Sequence, residues 1–215
     1  MPSIEGIKLK SKRFYFRLTS KHRRNRLKNE SFSIISNNCW GGFVYQSYGI
    51  KYSSPTIGLY FMADDYIKFL SNIHFYLSLD LKFIEPTKSK YYQEKKSEKR
   101  FGNYPIGLLG DVEIFFLHYN SSKEAQSKWN RRVALINFEK LLVKFNDQNG
   151  CRREHFEKFE KLDFKNKICF VSNQNVEFQS CVWIKNYNSQ QCIMASQEPI
   201  GNSKYININE LINKL

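Results

Sequence analysis

The residues able to do chemistry cluster in a few short segments. The most distinctive is Asn37-Asn38-Cys39-Trp40-Gly41-Gly42. Two adjacent glycines let backbone amides come close to a ligand, and the asparagines Asn37 and Asn38 offer donors and acceptors. At the start of a helix such a loop could hold a phosphate. It is neither a Walker loop nor a G-x-G-x-x-G fingerprint, so a tight strand-to-helix turn is the plainer alternative. Asp64 and Asp65 could bind a divalent metal with a diphosphate, and Asp65 could act as a general base. Asp is equally a favoured helix cap, and no Asp-x-Asp stands here. Arg131 and Arg132 could neutralise a diphosphate through bidentate bonds, or simply complement a helix C-terminus. His118 could act as acid or base near neutral pH. Cys39 with His118 could form a nucleophile and its base.

These residues need a scaffold to position them. Residues 32–36 form an apolar run that stops at the Asn37–Gly42 turn, as a buried strand does. A short helix over 43–48 should follow, ended by Gly49. Ile57 to Phe61 reads as another strand. Tyr66, Ile67, Leu70, Ile73, His74 and Leu77 share one helical face. Leu81 to Ile84 reads as a short strand, and 87–103 as a polar insertion or mobile loop. Val112 to His118 should be a strand. Ser121 and Glu124 have the spacing of a capping box, with a helix running to about Arg132. Strand, helix and strand follow at 141–145, 152–162 and 168–171, the size of a right-handed crossover. A short strand at 182–184 and a helix from 209 close the chain. Strands alternate with helices, so the expected fold is α/β. It has a mainly parallel sheet flanked by helices, in a Rossmann-like layered arrangement. In such sheets ligands bind beyond the carboxyl ends of the strands. No internal repeat or second domain is evident, and the expected organisation is a basic arm at 1–30 and one domain at 31–215.

The 215-residue chain has 34 Lys and Arg against 20 Asp and Glu, a net charge of +14. Ten of the basic residues lie between Lys8 and Lys28, where no acid occurs, and the rest is close to balanced. Such an arm suits an anionic membrane surface, with Phe14, Tyr15, Phe16 and Leu18 as a shallow anchor. It also suits a nucleic-acid backbone, or it is a solvated tail. A second Lys-rich stretch, Lys88 to Arg100, contains Glu94 and Glu98 and reads as an exposed face. No apolar run approaches the ~18–20 residues of a membrane span. The first residues lack the apolar stretch of a secretory signal, so a cytosolic location is expected. Cys39, Cys151, Cys169, Cys181 and Cys192 form no C-x-x-C pair. Free thiols in a reducing compartment are expected.

The segments Ile34–Gly42, Ser54–Leu59 and Asp65–Phe69 resemble a bacterial group catalogued as a domain of unknown function. Its members are labelled exopolysaccharide or capsular polysaccharide biosynthesis proteins. Tyr104–Gly107, Gly110–Ile114, Leu117–Tyr119, Lys128–Arg132 and Asn137-Phe138 fit the same pattern. The resemblance runs from about Arg24 to Val171 and is poor after Ser172. It implies an α/β fold and work on a cell-surface polysaccharide. It brings no reaction, only positions: Asn38, Cys39, Gly42, Asp111, His118, Trp129, Arg131 and Asp147 fall in or near its segments.

The first expectation is a glycosyltransferase that uses a nucleotide-activated sugar on a lipid-linked or growing glycan acceptor. Asn38, Gly41 and Gly42 would bind the donor phosphate, and Arg131 or Arg132 would offset the leaving-group charge. Asp65 or Asp111 would deprotonate the acceptor hydroxyl, with His118 as the rival base. A divalent metal could assist the donor. The basic arm would hold the enzyme on the inner face of the membrane. The alternatives are an acyl or other group transferase working through Cys39 and His118, and a nucleic-acid-binding protein that uses the arm. No recognisable nucleic-acid-binding motif supports the latter.

Overall fold

A computed structural model describes residues 14–16 and 18–215 of the chain. A parallel sheet forms its centre. Strands β1 (Ser33–Ser36), β5 (Leu141–Asn146), β6 (Lys167–Val171) and β7 (Cys181–Trp183) stand side by side in that order. All three pairings are parallel, with Ile35 opposite Val143, Phe145 opposite Cys169 and Phe170 opposite Val182. A second sheet, absent from the sequence reading, pairs β2 (Lys82–Ile84), β3 (Ile106–Leu109) and β4 (Val112–Phe115) antiparallel.

Alternation along the central strands sorts their side chains onto two faces. Ile34, Leu142, Ile168 and Phe170 meet Trp40, Val44, Tyr45 and Tyr48 of α2 (Trp40–Tyr48). Ile208 and Ile212 of α8 (Ile208–Asn213) pack on the same face. On the opposite face Ile35, Val143, Phe145 and Val171 meet α3 (Ala63–Ser71) and α7 (Arg153–Lys161). Ile114 and Phe116 from the antiparallel module, and Trp129 of α6 (Ser122–Val133), extend that core. Buried aromatics such as Trp40, Phe145 and Phe159 each contribute roughly 1.5–3 kcal/mol through burial. The α/β class and the mainly parallel sheet therefore stand as the sequence indicates.

Four sequence expectations change. Ile57 to Phe61 is not a strand: it makes one antiparallel bridge, Tyr60 to Phe115. Pro55 lacks an N–H, and Gly58 sits at φ +71°, so regular pairing cannot extend. The helical face over 66–77 is divided. Asn72, at φ −146° and ψ 56°, ends α3 and starts α4 (Ile73–Ser78). The segment 87–103 is an ordered layer, not a loose loop. It carries a 3-10 turn at Pro86–Lys88 and α5 (Tyr92–Lys95). Ser89 Oγ and Lys90 N donate to the buried Glu113 carboxylate, at 2.5 and 2.8 Å. The run ending at His118 is strand only to Phe115.

Part of the basic arm is attached to the domain. α1 (Ser20–Arg24) lies beside α2, and Arg23 Nε donates to Ser47 O at 2.8 Å. Asn213 of α8 accepts from Lys28 N and donates to Arg26 O. Lys8, Lys10, Lys12, Arg13 and Arg17 lie outside the described residues. Among the described residues no helix is long and apolar enough to cross a membrane.

Candidate functional site

The carboxyl ends of β1 and β5 open onto a cavity of about 540 Å³. Asn38 and Cys39 enter it from the loop after β1, and Gln148 and Asn149 from the loop after β5. Asn149 takes φ 59°, and its amide donates to Phe61 O at 3.0 Å. Phe61 N in turn donates to Asn37 O at 3.0 Å, so the two strand-end loops are tied through the 57–61 segment. Lys95, Lys99 and Arg100 of the ordered insertion form one rim, with Glu98 among them, and Met194 to Ser196 form the other. Tyr60 and Tyr104 share a hydroxyl–hydroxyl bond of 2.9 Å in the wall.

A second chamber of about 310 Å³ adjoins the first. Cys39, Phe43 and His118 line both. His118 is exposed and comes from outside the parallel sheet. Its N–H donates to Gly58 O at 3.0 Å. A Cβ on Gly58 would stand 3.3 Å from His118 Cβ, so a glycine there permits this approach. Cys39 occupies the N-cap of α2, with Sγ 3.8 Å from Leu59 O. The thiol and the imidazole thus flank the same short segment and face the same space.

Arg132 projects into the smaller chamber from the last turn of α6 and is 5% exposed. Its Nη1 donates to Tyr119 OH at 2.6 Å, and its guanidinium carbon lies 5.0 Å from the Tyr52 ring centre. Burial pushes the Tyr119 phenol up, opposed by Arg132. The neutral hydroxyl therefore accepts from Arg132 while donating to Ile57 O at 2.6 Å. Arg131, one position earlier, is exposed.

A buried polar network backs the Asn38 side of the larger chamber. Lys144 on β5 pairs with Glu198, and both side chains are fully buried. Lys144 Nζ also donates to Asn38 Oδ1 at 3.0 Å and Asn37 Oδ1 at 3.3 Å. Asn146 Nδ2 donates to Glu198 Oε1 at 2.7 Å, and Asn37 Nδ2 to Asn146 Oδ1 at 2.7 Å. Burial pushes the Glu198 carboxyl up and the Lys144 ammonium down, each opposed by their mutual attraction. Asn37 and Asn38 therefore spend their amides inside the protein. Gly41 packs too: a Cβ there would meet Ser36 Oγ at 3.0 Å. Gly42 lines the smaller chamber, and its own Cβ would meet Ile57 Cγ2 at 3.3 Å. Asn37 and Gly41 thus shape the turn instead of offering free donors to a phosphate.

The expected acids are elsewhere. Asp65 accepts from Glu113 N at 2.9 Å and pairs with Lys90, and burial holds its carboxyl above the ordinary value. Asp111 sits on the β3–β4 turn, where Lys68 pairs with it and Tyr76 donates to it at 3.0 Å. Lys90 joins these two places, since it also donates to Asp111 O. Neither aspartate lines the chambers that hold His118. Asp147 accepts from Ser172 and from Ile193 N at 2.6–2.7 Å, which fastens the loops after β5, β6 and β7 together.

Asp64 and Asp65 do not act as a pair, because neighbouring helical residues point about 100° apart. Asp64 turns instead to His155 Nε2 at 2.8 Å and Arg152 Nη2 at 3.2 Å. Asp64, Glu154 and His155 each bring one donor atom within 4.8 Å of the others, a spacing that could hold a metal. All three are already engaged: His155 Nδ1 accepts from Arg152 N at 2.9 Å, and the Arg152 side chain binds both acids.

A family model described as "Domain of unknown function (DUF1919)" matches residues 10–215. The chain belongs to this DUF1919 family. A Haemophilus influenzae protein described as "Uncharacterized protein" is 32% identical over 187 residues, which cover 87% of this chain and 82% of that protein. Neither description names an activity. Within this DUF1919 chain the sequence reading missed Lys144 and Glu198. The lysine inside Leu141-Leu142-Val143-Lys144-Phe145 was a readable signal, because a charge there must find a buried partner. Glu198 carried none.

Proposed function

We propose that this chain is a transferase of cell-surface polysaccharide assembly. It moves a glycosyl group from a nucleotide-activated sugar to a hydroxyl of a glycan or lipid-linked acceptor. The polysaccharide context comes from the resemblance noted in the sequence. The observation that carries the reaction is the position of His118, which lines both chambers at the carboxyl edge of the parallel sheet. Donor and acceptor share the two chambers and meet at His118. The imidazole removes the acceptor hydroxyl proton as the new C–O bond forms and the bond from sugar carbon to phosphate oxygen breaks. The nucleotide leaves with both electrons of that bond, held by cationic side chains of the walls. His118 then gives its proton to solvent. Asp65 and Asp111 take no part, since they lie away from this space. The direct test is turnover of a panel of nucleotide sugars with lipid-linked acceptors. H118N should lose about 10²–10⁴-fold in rate while keeping its fold. No turnover and no nucleotide-sugar binding across the panel would end the proposal.

Cys39, which lines both chambers along with His118, favours one second reading, an acyl transferase. The Cys39 thiolate, formed as His118 takes its proton, would attack an acyl thioester donor, whose thiol leaves with that proton; the acceptor hydroxyl, deprotonated by His118, would then attack the Cys39 thioester and release the thiol of Cys39. C39S separates the two: it removes the acyl route and leaves glycosyl transfer in place.

A further inference from the structure

Among the described residues Arg132 has no carboxylate in ion-pair contact. Its side chain is almost fully buried, yet its nearest polar partner is a neutral phenol, and its Nε has no hydrogen-bond partner. Burying a guanidinium without a counter-charge is unfavourable, so such groups are normally paired. No carboxylate lines the smaller chamber among the described residues. Lys128 stands on the same wall, 5.5 Å from the Tyr119 ring centre, with its own charge met by Glu124. Gln46 lines the chamber from α2. Arg132 is fixed in orientation from two sides, by the Tyr119 hydroxyl and the Tyr52 ring.

We infer that the smaller chamber is an anion subsite built around Arg132, and that its occupant is a phosphate or diphosphate group. A guanidinium presents a planar fork that matches two oxygens of one phosphate, and Arg132 keeps one buried N–H, at Nε, without a partner. A chamber of about 310 Å³ has room for such a group but is at the small end for a whole nucleotide sugar. The remainder of a larger ligand would pass Cys39 and His118 into the wider chamber. That the phosphate belongs to the donor of a transferred sugar rests on the function proposed above. That the chamber takes an anion does not.

The probe is inorganic pyrophosphate, titrated calorimetrically into the whole chain and followed by thermal shift. The wild type should bind saturably and gain melting temperature. R132Q should lose both responses. R132K, which keeps the charge and surrenders the fork, should bind about tenfold more weakly or worse. R131Q, altered at the exposed neighbour, should match the wild type. R132K keeps the test decisive if R132Q fails to fold. Absence of binding to the wild type, or equal binding by R132K, would overturn the subsite. Pyrophosphate binding through Arg132 without any sugar-nucleotide turnover would leave the subsite standing and remove the glycosyl reading. Turnover at the wild-type rate by R132K would do the reverse.

Discussion

Lys144 and Glu198 form an ion pair that solvent does not reach, directly behind the asparagine that enters the larger chamber. One comes from the middle of β5, the other from the irregular segment that carries Met194 to Ser196. The pair therefore fastens one rim of the cavity to the sheet. Removing either partner strands a charge in the interior. K144M or E198Q should each cost about 3–5 kcal/mol, and the double substitution K144M/E198Q less than the sum. Urea unfolding of the four proteins measures this. Strict additivity would mean that the two groups do not stabilise one another.

Close packing makes a graded series of glycines. A Cβ on Gly107 would lie 2.6 Å from Phe116 Cε2 and 2.8 Å from Leu81 Cδ1. On Gly41 it would lie 3.0 Å from Ser36 Oγ, and on Gly42 3.3 Å from Ile57 Cγ2. Overpacking of this kind costs about 1–3 kcal/mol. Melting temperatures should fall most for G107A, less for G41A and least for G42A. The reverse order would contradict the packing described.

The Asp64 cluster gives a pH signature. Burial pushes the Asp64 carboxyl up, but His155 and Arg152 outweigh it and hold its pKa below the ordinary value. A carboxylate favoured in the native state stabilises fully above the unfolded pKa of about 4. That contribution disappears as pH falls through the lower folded value. D64N should therefore be less stable than the wild type near neutrality, and the difference should shrink in strong acid. Denaturant midpoints at the two extremes test this, and a gap independent of pH would refute it.

The basic stretch divides into two parts with different consequences. Arg23, Arg26 and Lys28 contact α2 and α8 directly. Deleting residues 1–28 should therefore lower the melting temperature by several degrees, whereas deleting only 1–13 keeps these contacts and removes Lys8, Lys10, Lys12 and Arg13. If the arm serves a membrane, the shorter deletion should also weaken sedimentation with anionic vesicles, and neutral vesicles should bind neither protein. Retention on RNA but not on vesicles would favour the nucleic-acid alternative.

Much of the architecture is legible from pattern alone. The helix ended by Gly49, the strand–helix–strand unit over 141–171 and the Ser121 cap all carry local signals. Even there a detail differs: Glu124 reaches back to Asn120 N and not to the N-cap amide. The antiparallel module was invisible as a sheet because its strands have three or four residues, too few for periodicity. The site was half legible. Cys39, His118 and Arg132 lie on the shared chambers. Asp65 and Asp111 stand out by residue type, and type says nothing about which side of a helix or hairpin a carboxylate occupies.

Ser33 on β1 stands opposite Leu141 on β5, although more than a hundred residues of chain separate them. Closing so long a loop is entropically costly, and parallel pairing across it is slow. During synthesis β1 emerges well before its neighbour β5 exists. The β3–β4 hairpin of the second sheet has its partners close by in the chain and can settle first. β1 can gather α2 and the 53–56 segment early, but its pairing edge must wait for a strand made much later, and until then that edge is open to wrong partners.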